Sequence, residues 1–343
     1  MGVGPSLTLG HDTLSETPTA RFPVSTALAL SYVLPLHSEH VVQELTTYLH
    51  SIALHVEVIV VDGSPDAVFE EHHRQWRDVI HIRPDERWDF PFRKVTGVLT
   101  GLGRATQRRV VIADDDVRWT PELLASAGDR LGDKAVLRPQ NYFKPHRWHT
   151  RWDTGRILLN RLFGGDWPGT LVVDRNLLLA TGGYDGSAMF ENLELVRTLK
   201  AAGGHEVLAL DLLIPRTPPD VRQFLDQRVR QAFDEFARPW RLLLELAVLP
   251  AVIVGRRRAA IALAAASIGF AELGRRRGNG SSVFGRFDAV WAPAWVAERS
   301  ITAWLAVWAK ARRGGVSYRG TVIGKAATAP RRFRVAAVIS SPS

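Results

Sequence analysis

The chain of 343 residues has no cysteine, and this absence excludes disulfides, thiolate zinc sites and cysteine nucleophiles together. It favours a reducing, cytosolic setting. Long apolar runs are missing too. Residues 242–254 and 259–270 are nearly all apolar, but neither reaches the ~20 residues a membrane-spanning helix needs. Glu245, Pro250 and Arg256-Arg257-Arg258 interrupt them. Residues 1–25 lack a basic start followed by an apolar core, so they read as a flexible tail rather than a signal peptide, although Met1-Gly2 with Ser6 formally fits a myristoylation pattern. Gly101-Leu102-Gly103 lacks the third glycine of a dinucleotide fingerprint and does not directly follow a predicted strand. The eleven histidines, His72-His73, His146 and His149 among them, form no metal-binding pair with a carboxylate on sequence grounds and read as surface and loop residues. No internal repeat is evident.

Acids are scarce at one end only. From Arg256 onward there are 16 Lys/Arg against 3 Asp/Glu, leaving 28 against 32 in the rest of the chain. A basic segment of this kind suits nucleic acid or anionic lipid. The flanking apolar pieces favour lipid, as do Trp291, Trp295, Trp304 and Trp308 interleaved with Arg299, Lys310, Arg312 and Arg313. The reading is of helices lying in, or dipping into, a membrane interface. The plain alternative is a helical core packed on the protein body with its basic residues solvated. A composition of 46% hydrophobic and 23% charged residues is globular, with length for one large domain or two.

The most informative feature present is Asp114-Asp115-Asp116, closing the apolar run Val110-Val111-Ile112-Ala113. Adjacent carboxylates resist ionisation beside one another, so a buried strand ending in three of them calls for a cation. Hard ions such as Mg²⁺ or Mn²⁺ take oxygen ligands of this kind. The competing reading is a solvated acidic turn before a helix starting near Thr120-Pro121-Glu122.

Periodicity predicts a strand over 27–36, a helix over 39–53, a strand over 56–61 ending in Asp62-Gly63-Ser64, a short strand over 79–82 and a helix over about 94–106. The strand before the acids follows, then a polar, aromatic loop over 140–152, a strand over 170–173, a turn at Gly182-Gly183-Tyr184-Asp185-Gly186, and a helix from about Met189. The alternation predicts an α/β domain with a mostly parallel sheet and helices on both faces. Two strands end in acids, and if they are neighbours both reach one crevice at the carboxyl ends.

These residues, in this order, resemble the family 2 glycosyltransferases of the GT-A fold. Pro35-Leu36-His37-Ser38-Glu39 is similar to that family's first-strand signature, and Val60-Val61-Asp62-Gly63-Ser64 to its second-strand element. Residues 94–105 are similar to its small-residue helix, and Asp114-Asp115-Asp116-Val117 to its Asp-x-Asp-Val. Gly182-Gly183-Tyr184-Asp185, followed by Phe190-Glu191-Asn192-Leu193-Glu194-Leu195, is similar to its acceptor-side block. The similarity covers roughly residues 27–215.

The resemblance implies transfer of a sugar, with inversion, from a nucleotide-sugar donor to a lipid-linked or saccharide acceptor, with Mg²⁺ or Mn²⁺. In that reading Asp62 bonds the base, and Pro35, His37 and Ser64 belong to the base and ribose pocket. Asp114 and Asp116 hold the metal, the variable Asp115 sits with the donor contacts, and Lys94 adds charge near the diphosphate. The family's base is an Asp where this chain has Asn192, and an amide cannot take the acceptor's proton. Glu191 takes over, or Asp185 or Glu194 reaches the site, or the chain binds donor without efficient transfer. Gln227 and Arg230 match part of a phosphate- or acceptor-binding motif of membrane-associated relatives, and Tyr318-Arg319-Gly320 resembles a segment that returns to the catalytic domain. The expected organisation is a tail over 1–25, a catalytic domain over 26–240, a membrane-associating helical region over 241–313, and a return segment and tail over 314–343 that frays from Thr328. The location implied is the cytoplasmic face of a membrane, with an anionic lipid surface and no nucleic acid as partner. The alternatives are a nucleotidyltransferase of related architecture, against which the lack of a Gly-rich basic loop after the first strand speaks, and a donor-binding scaffold.

Overall fold

The computed structural model describes residues 28–318 and 320–330. The expectations for residues 1–25, including the myristoylation pattern, for Arg319 and for the chain beyond 330 lie outside the described residues.

The elements run β1 (Leu30–Leu36), α1 (Gln43–Ala53), β2 (Glu57–Asp62), α2 (Asp66–Gln75), β3 (Ile80–Ile82), α3 (Arg93–Arg104), β4 (Arg109–Ala113), α4 (Pro121–Leu131), β5 (Val136–Phe143), α5 (Trp148–Leu162), β6 (Thr170–Asp174), α6 (Arg175–Ala180), α7 (Glu191–Ala201), β7 (Glu206–Arg216), α8 (Val221–Asp226), α9 (Arg228–Phe233), α10 (Pro239–Arg276), α11 (Ala292–Arg313), β8 (Val316–Tyr318) and β9 (Thr321–Ile323). Seven strands form one sheet in the order β3-β2-β1-β4-β6-β5-β7. β1, β2, β3 and β4 are parallel, β6 runs against β4 and β5, and β7 is parallel to β5.

Alternate residues of the central strands enter two apolar layers, as the period of two requires. Val33, Ile59, Val61, Val110 and Ile112 pack with Val95, Val98 and Leu102 of α3. Tyr32, Leu34, Val58, Val60 and Val111 pack with Leu45, Leu49 and Ile52 of α1 and Leu124 of α4. The small residues of α3 set its depth: a Cβ on Gly97 would lie 2.7 Å from the Cβ of Pro35. This close approach brings Lys94, in the first turn of α3, over the carboxyl ends of the strands.

Two expectations need correction. Asp62 and the acid triplet are not on neighbouring strands, because β1 lies between β2 and β4; being parallel, β2 and β4 still deliver their ends to one edge of the sheet. Residues 140–152 do not form a loop, since β5 continues to Phe143 and α5 starts at Trp148. Part of their polarity is internal, while residues 144–147 form an exposed connection between the two elements. Gln140 Oε1 accepts from the Asp166 amide at 2.8 Å, and Asn141 Oδ1 accepts from the Gly169 amide at 2.8 Å, so buried side-chain bonds replace apolar contacts.

Beyond the sheet, α10 runs for 38 residues with a break at Arg256, where φ is +49°. It packs on α5 and α11. Trp295 is 7% exposed and Ala303, Ala306 and Ala309 are buried, so this face of α11 is protein core. Trp304 and Trp308 remain about half exposed, as do or more so Trp240, Leu243, Leu244, Ile253 and Val254 on α10. No helix among the described residues is long and apolar enough to cross a membrane. After α11 the chain returns through the β8–β9 hairpin to the start of α7: Lys325 and Ala326 carbonyls accept from the Met189 and Phe190 amides at 2.9 Å. Thr328, where fraying was expected to begin, is fixed, its amide and hydroxyl each donating to Glu194 at 2.6 Å.

Candidate active site

The turn after β4 is pinned at both ends. The Asp114 amide donates to Gly169 O at 2.8 Å, and Thr217 N donates to Asp116 O at 2.7 Å, tying the acids to the segment before β6 and the end of β7. Gly169 has no side chain for a spatial reason, since a Cβ there would lie 2.5 Å from Asp114 Oδ2.

The cation that the triplet calls for is supplied first by the protein itself. Lys94 Nζ lies 2.5 Å from Asp114 Oδ1 and 2.7 Å from Glu191 Oε1. Arg216, the last residue of β7, puts Nε 2.7 Å from Asp116 Oδ2 and Nη2 3.5 Å from Asp114 Oδ2. Burial works against the charge of both cations, but the facing carboxylates outweigh it and raise both pKa values. Burial also pushes the Asp116 carboxyl up to about 6, Arg216 opposing and Asp114 and Asp115 reinforcing. Asp116 Oδ1 is buried and has no hydrogen-bond partner among the described residues. An orphaned carboxylate oxygen beside Asp114, in a set made only of oxygens, fits a hard divalent cation. Asp115 points outward, exposed, at the rim of a small cavity shared with Leu36, Ser38, His72 and Arg118.

At the end of β2, Asp62 is wholly buried. Its Oδ1 accepts from Ser64 N at 2.8 Å, and its Oδ2 from His72 Nδ1 at 2.7 Å and His81 Nε2 at 3.1 Å. Burial alone would raise its pKa, but the bonds from His81, Ser64 and His72 hold it well below the usual carboxylate range. This corrects the reading of the histidines as surface groups: His72 and His81 are buried and gathered on one carboxylate, and His149 is buried against Pro219 O. His37 and Ser64 link the β1 and β2 ends, His37 Nδ1 lying 2.7 Å from Gly63 O and Ser64 Oγ accepting from Ser38 N at 2.9 Å. Pro35 packs beneath Gly97.

A second cavity, of about 230 Å³, opens between the acid turn, helices α5, α7, α9 and α11, and the turn between α9 and α10. Asp114, Glu191, Asn192, Arg216 and Gln227 line it. Asn192 Nδ2 donates to Pro168 O at 2.9 Å. Asp185 is not brought there: it pairs with Lys325 and accepts from Ser187 N at 2.7 Å, holding the turn before α7. Glu194 is committed to Thr328. Arg230 also stays outside, its guanidinium 5.1 Å over the Tyr318 ring, while the neighbouring Gln231 lines the cavity. Sequence reasoning missed Arg216, Asp234, Glu235, Arg238, Trp295 and Arg299, all lining this cavity. Arg216 had a signal of the same kind as the acids, a charge closing the apolar run Leu212-Leu213-Ile214-Pro215. The others come from turns and helices whose approach no local pattern encodes.

The mixed sheet, its carboxyl-end acids and the helices on both faces define a GT-A fold. No protein-family model matches the chain, and no curated protein sequence matches it. Among solved structures it is similar to the mannosyltransferase PcManGT from Pyrobaculum calidifontis in complex with GDP-Man and Mn²⁺, at 19% identity and a TM-score of 0.51 over 82% of this chain and 88% of that one. Weaker likenesses, which carry no part of the argument, are to glucosyl-3-phosphoglycerate synthase from Mycobacterium tuberculosis (16% identity, TM-score 0.41, 59% of this chain and 76% of that one) and to residues 1–349 of TarS from S. aureus (12%, 0.42, 85% and 95%).

Proposed function

We propose that this protein is an inverting glycosyltransferase that moves a sugar from a nucleoside-diphosphate donor to an acceptor at a membrane surface. The observation that carries the reading is the meeting of Asp114, Asp116, Lys94 and Arg216 at the carboxyl edge of the sheet, with Asp116 Oδ1 left unpartnered. Asp114 and Asp116 would hold Mg²⁺ or Mn²⁺, which when bound neutralises the departing diphosphate. Lys94 lies against Asp114 and Arg216 against both Asp114 and Asp116, so they are placed to meet phosphate oxygens without a large movement. The β1 and β2 ends, with His37, Asp62 and Ser64, form the nucleoside side of the cleft, and the 230 Å³ cavity forms the acceptor side. The likeness to a structure holding GDP-Man and Mn²⁺ supports a nucleotide sugar as donor.

The half-exposed apolar residues of α10 and α11, together with the basic C-terminal quarter, support an acceptor at a membrane. A nucleotide-sugar donor and a cysteine-free sequence are consistent with the cytoplasmic face, which is part of the same proposal.

The test is release of nucleoside diphosphate from GDP-mannose, UDP-glucose and UDP-N-acetylglucosamine with Mn²⁺. Wild type releases it from at least one donor, and Asp116→Ala abolishes both release and metal-dependent nucleotide binding. Unchanged turnover in that variant would overturn the assignment. Binding without release would favour a donor-binding scaffold, and transfer of a nucleotidyl group would favour the nucleotidyltransferase alternative.

A further inference from the structure

An inverting transfer needs a group to take the acceptor's proton, and the residues nearest the expected position are occupied: Asn192 is an amide donating to Pro168 O, and Glu191 Oε1 is held by Lys94. Four carboxylates line the acceptor-side cavity, namely Asp114, Glu191, Asp234 and Glu235. Asp114 is paired with Lys94 and Arg216, Glu191 with Lys94, and Glu235 with Arg238 and Arg241. Asp234, first residue of the 3₁₀ turn Asp234–Ala237 that follows α9, differs from them all. It has no ion pair among the described residues, and its Oδ1 is buried without a hydrogen-bond partner. A desolvated carboxylate with an open oxygen, facing a cavity and compensated by no bonded cation, is a base kept free for a ligand.

Resting on the glycosyltransferase reading above, we infer that Asp234 is the general base of the transfer. The acceptor oxygen attacks the anomeric carbon, the bond from that carbon to the diphosphate oxygen breaks, its electron pair leaves with the diphosphate, and the acceptor's proton passes to Asp234. The electrostatics agree. Burial first, then Glu191 and Glu235, raise the Asp234 pKa well above the usual value, outweighing Arg238 and Arg299. A carboxylate so placed binds a proton more strongly than a solvated one, which is what a base must do as the hydroxyl ionises. Lys94 and Glu191 keep a separate task, holding Asp114.

The test uses a nucleophile that needs no base. In the full-length protein with Mn²⁺ and each of the three donors above, water serves as acceptor, and Asp234→Ala lowers nucleoside diphosphate release by about 100-fold or more. Sodium azide, already anionic, restores release in the variant and yields a glycosyl azide detectable by mass spectrometry, while adding little to wild type. A structural role for Asp234 would lose both reactions. If Asp234→Ala does not fold, the near-isosteric Asp234→Asn carries the same comparison, with folding and nucleotide binding followed by thermal shift. Release within about threefold of wild type, or no azide rescue in a variant that binds Mn²⁺ and nucleoside diphosphate normally, overturns the assignment of Asp234 and leaves the transferase reading standing. No release by wild type from any donor overturns that reading and the base with it.

Discussion

Asp114 and Asp116 show how a cluster of acids is held together when its members would otherwise repel. The three adjacent acids announced a cation in the sequence, and two protein cations answer from 20 residues before and 100 residues after the cluster, Lys94 and Arg216. If these acids hold Mn²⁺ as proposed, Arg216 competes with the ion for Asp116 Oδ2 and steadies the cleft without it. Replacing it by methionine, which keeps the stem and removes the charge, is expected to lower the melting temperature of the metal-free protein and to enlarge the rise produced by Mn²⁺. Scanning fluorimetry with and without Mn²⁺ measures both, and an unchanged Mn²⁺ increment would refute the competition. Gly169→Ala tests the same place sterically. A methyl 2.5 Å from Asp114 Oδ2 must displace that carboxylate, so metal-dependent nucleotide binding should weaken while the melting temperature in EDTA moves little. Local sequence displayed Asp62 and the acid triplet because each closes an apolar strand. It hid the partners of Asp62, since His72 and His81 arrive from α2 and β3 through tertiary packing alone.

At the scale of elements, α5, α10 and α11 were the least legible part of the chain. The polarity of residues 140–152 pointed to a loop, yet Gln140 and Asn141 instead make buried side-chain bonds that let β5 carry polar groups in the interior. The α10–α5 contact depends on Gly274, where a Cβ would overlap the Leu158 carbonyl oxygen. Gly274→Ala should therefore destabilise by about 1–3 kcal/mol in urea unfolding, since backbone rather than a flexible side chain must yield. α10 also carries Glu245, whose two carboxylate oxygens are buried without hydrogen-bond partners among the described residues. Burial pushes its pKa up to about 8 with Glu235 adding, despite Arg299, Arg241 and Arg238. The folded state then binds a proton that the unfolded chain gives up near its ordinary value of about 4.3. Stability is thus lost as pH rises from there to about 8, and levels off beyond. Glu245→Gln should raise the melting temperature relative to wild type at pH 9 and leave it nearly unchanged at pH 4. Equal differences at the two values would exclude the titration of Glu245 as the cause.

Over the whole molecule, the parallel sheet with helices on both faces was readable because βα alternation and strand-end acids survive as short local patterns. The fate of the apolar, basic quarter was not, because the same tryptophans serve a protein core or a lipid interface according to what packs on them. Trp295 went to the core, and Trp304 and Trp308 stayed half exposed. With Trp240, Leu243, Ile253 and Val254 also open, the protein is expected to float with vesicles containing phosphatidylserine and phosphatidylcholine, more weakly as salt rises. Failure to float at low salt would remove the membrane from the proposed function.

The return of the chain after α11 bears on when the cleft becomes complete. Lys325 and Ala326 accept the amides of Met189 and Phe190, Lys325 pairs with Asp185, and Thr328 closes on Glu194, so the entry to α7 is built partly from residues made more than a hundred positions later. During synthesis, a ribosome that has passed the acid triplet, the donor-side strands and even α11 has still not supplied the backbone that holds Glu191 and Asn192 in place. The clasp on α7 thus forms only after residues 325–328 emerge, and a fragment ending after α11 would have the acids of the β4 turn without it.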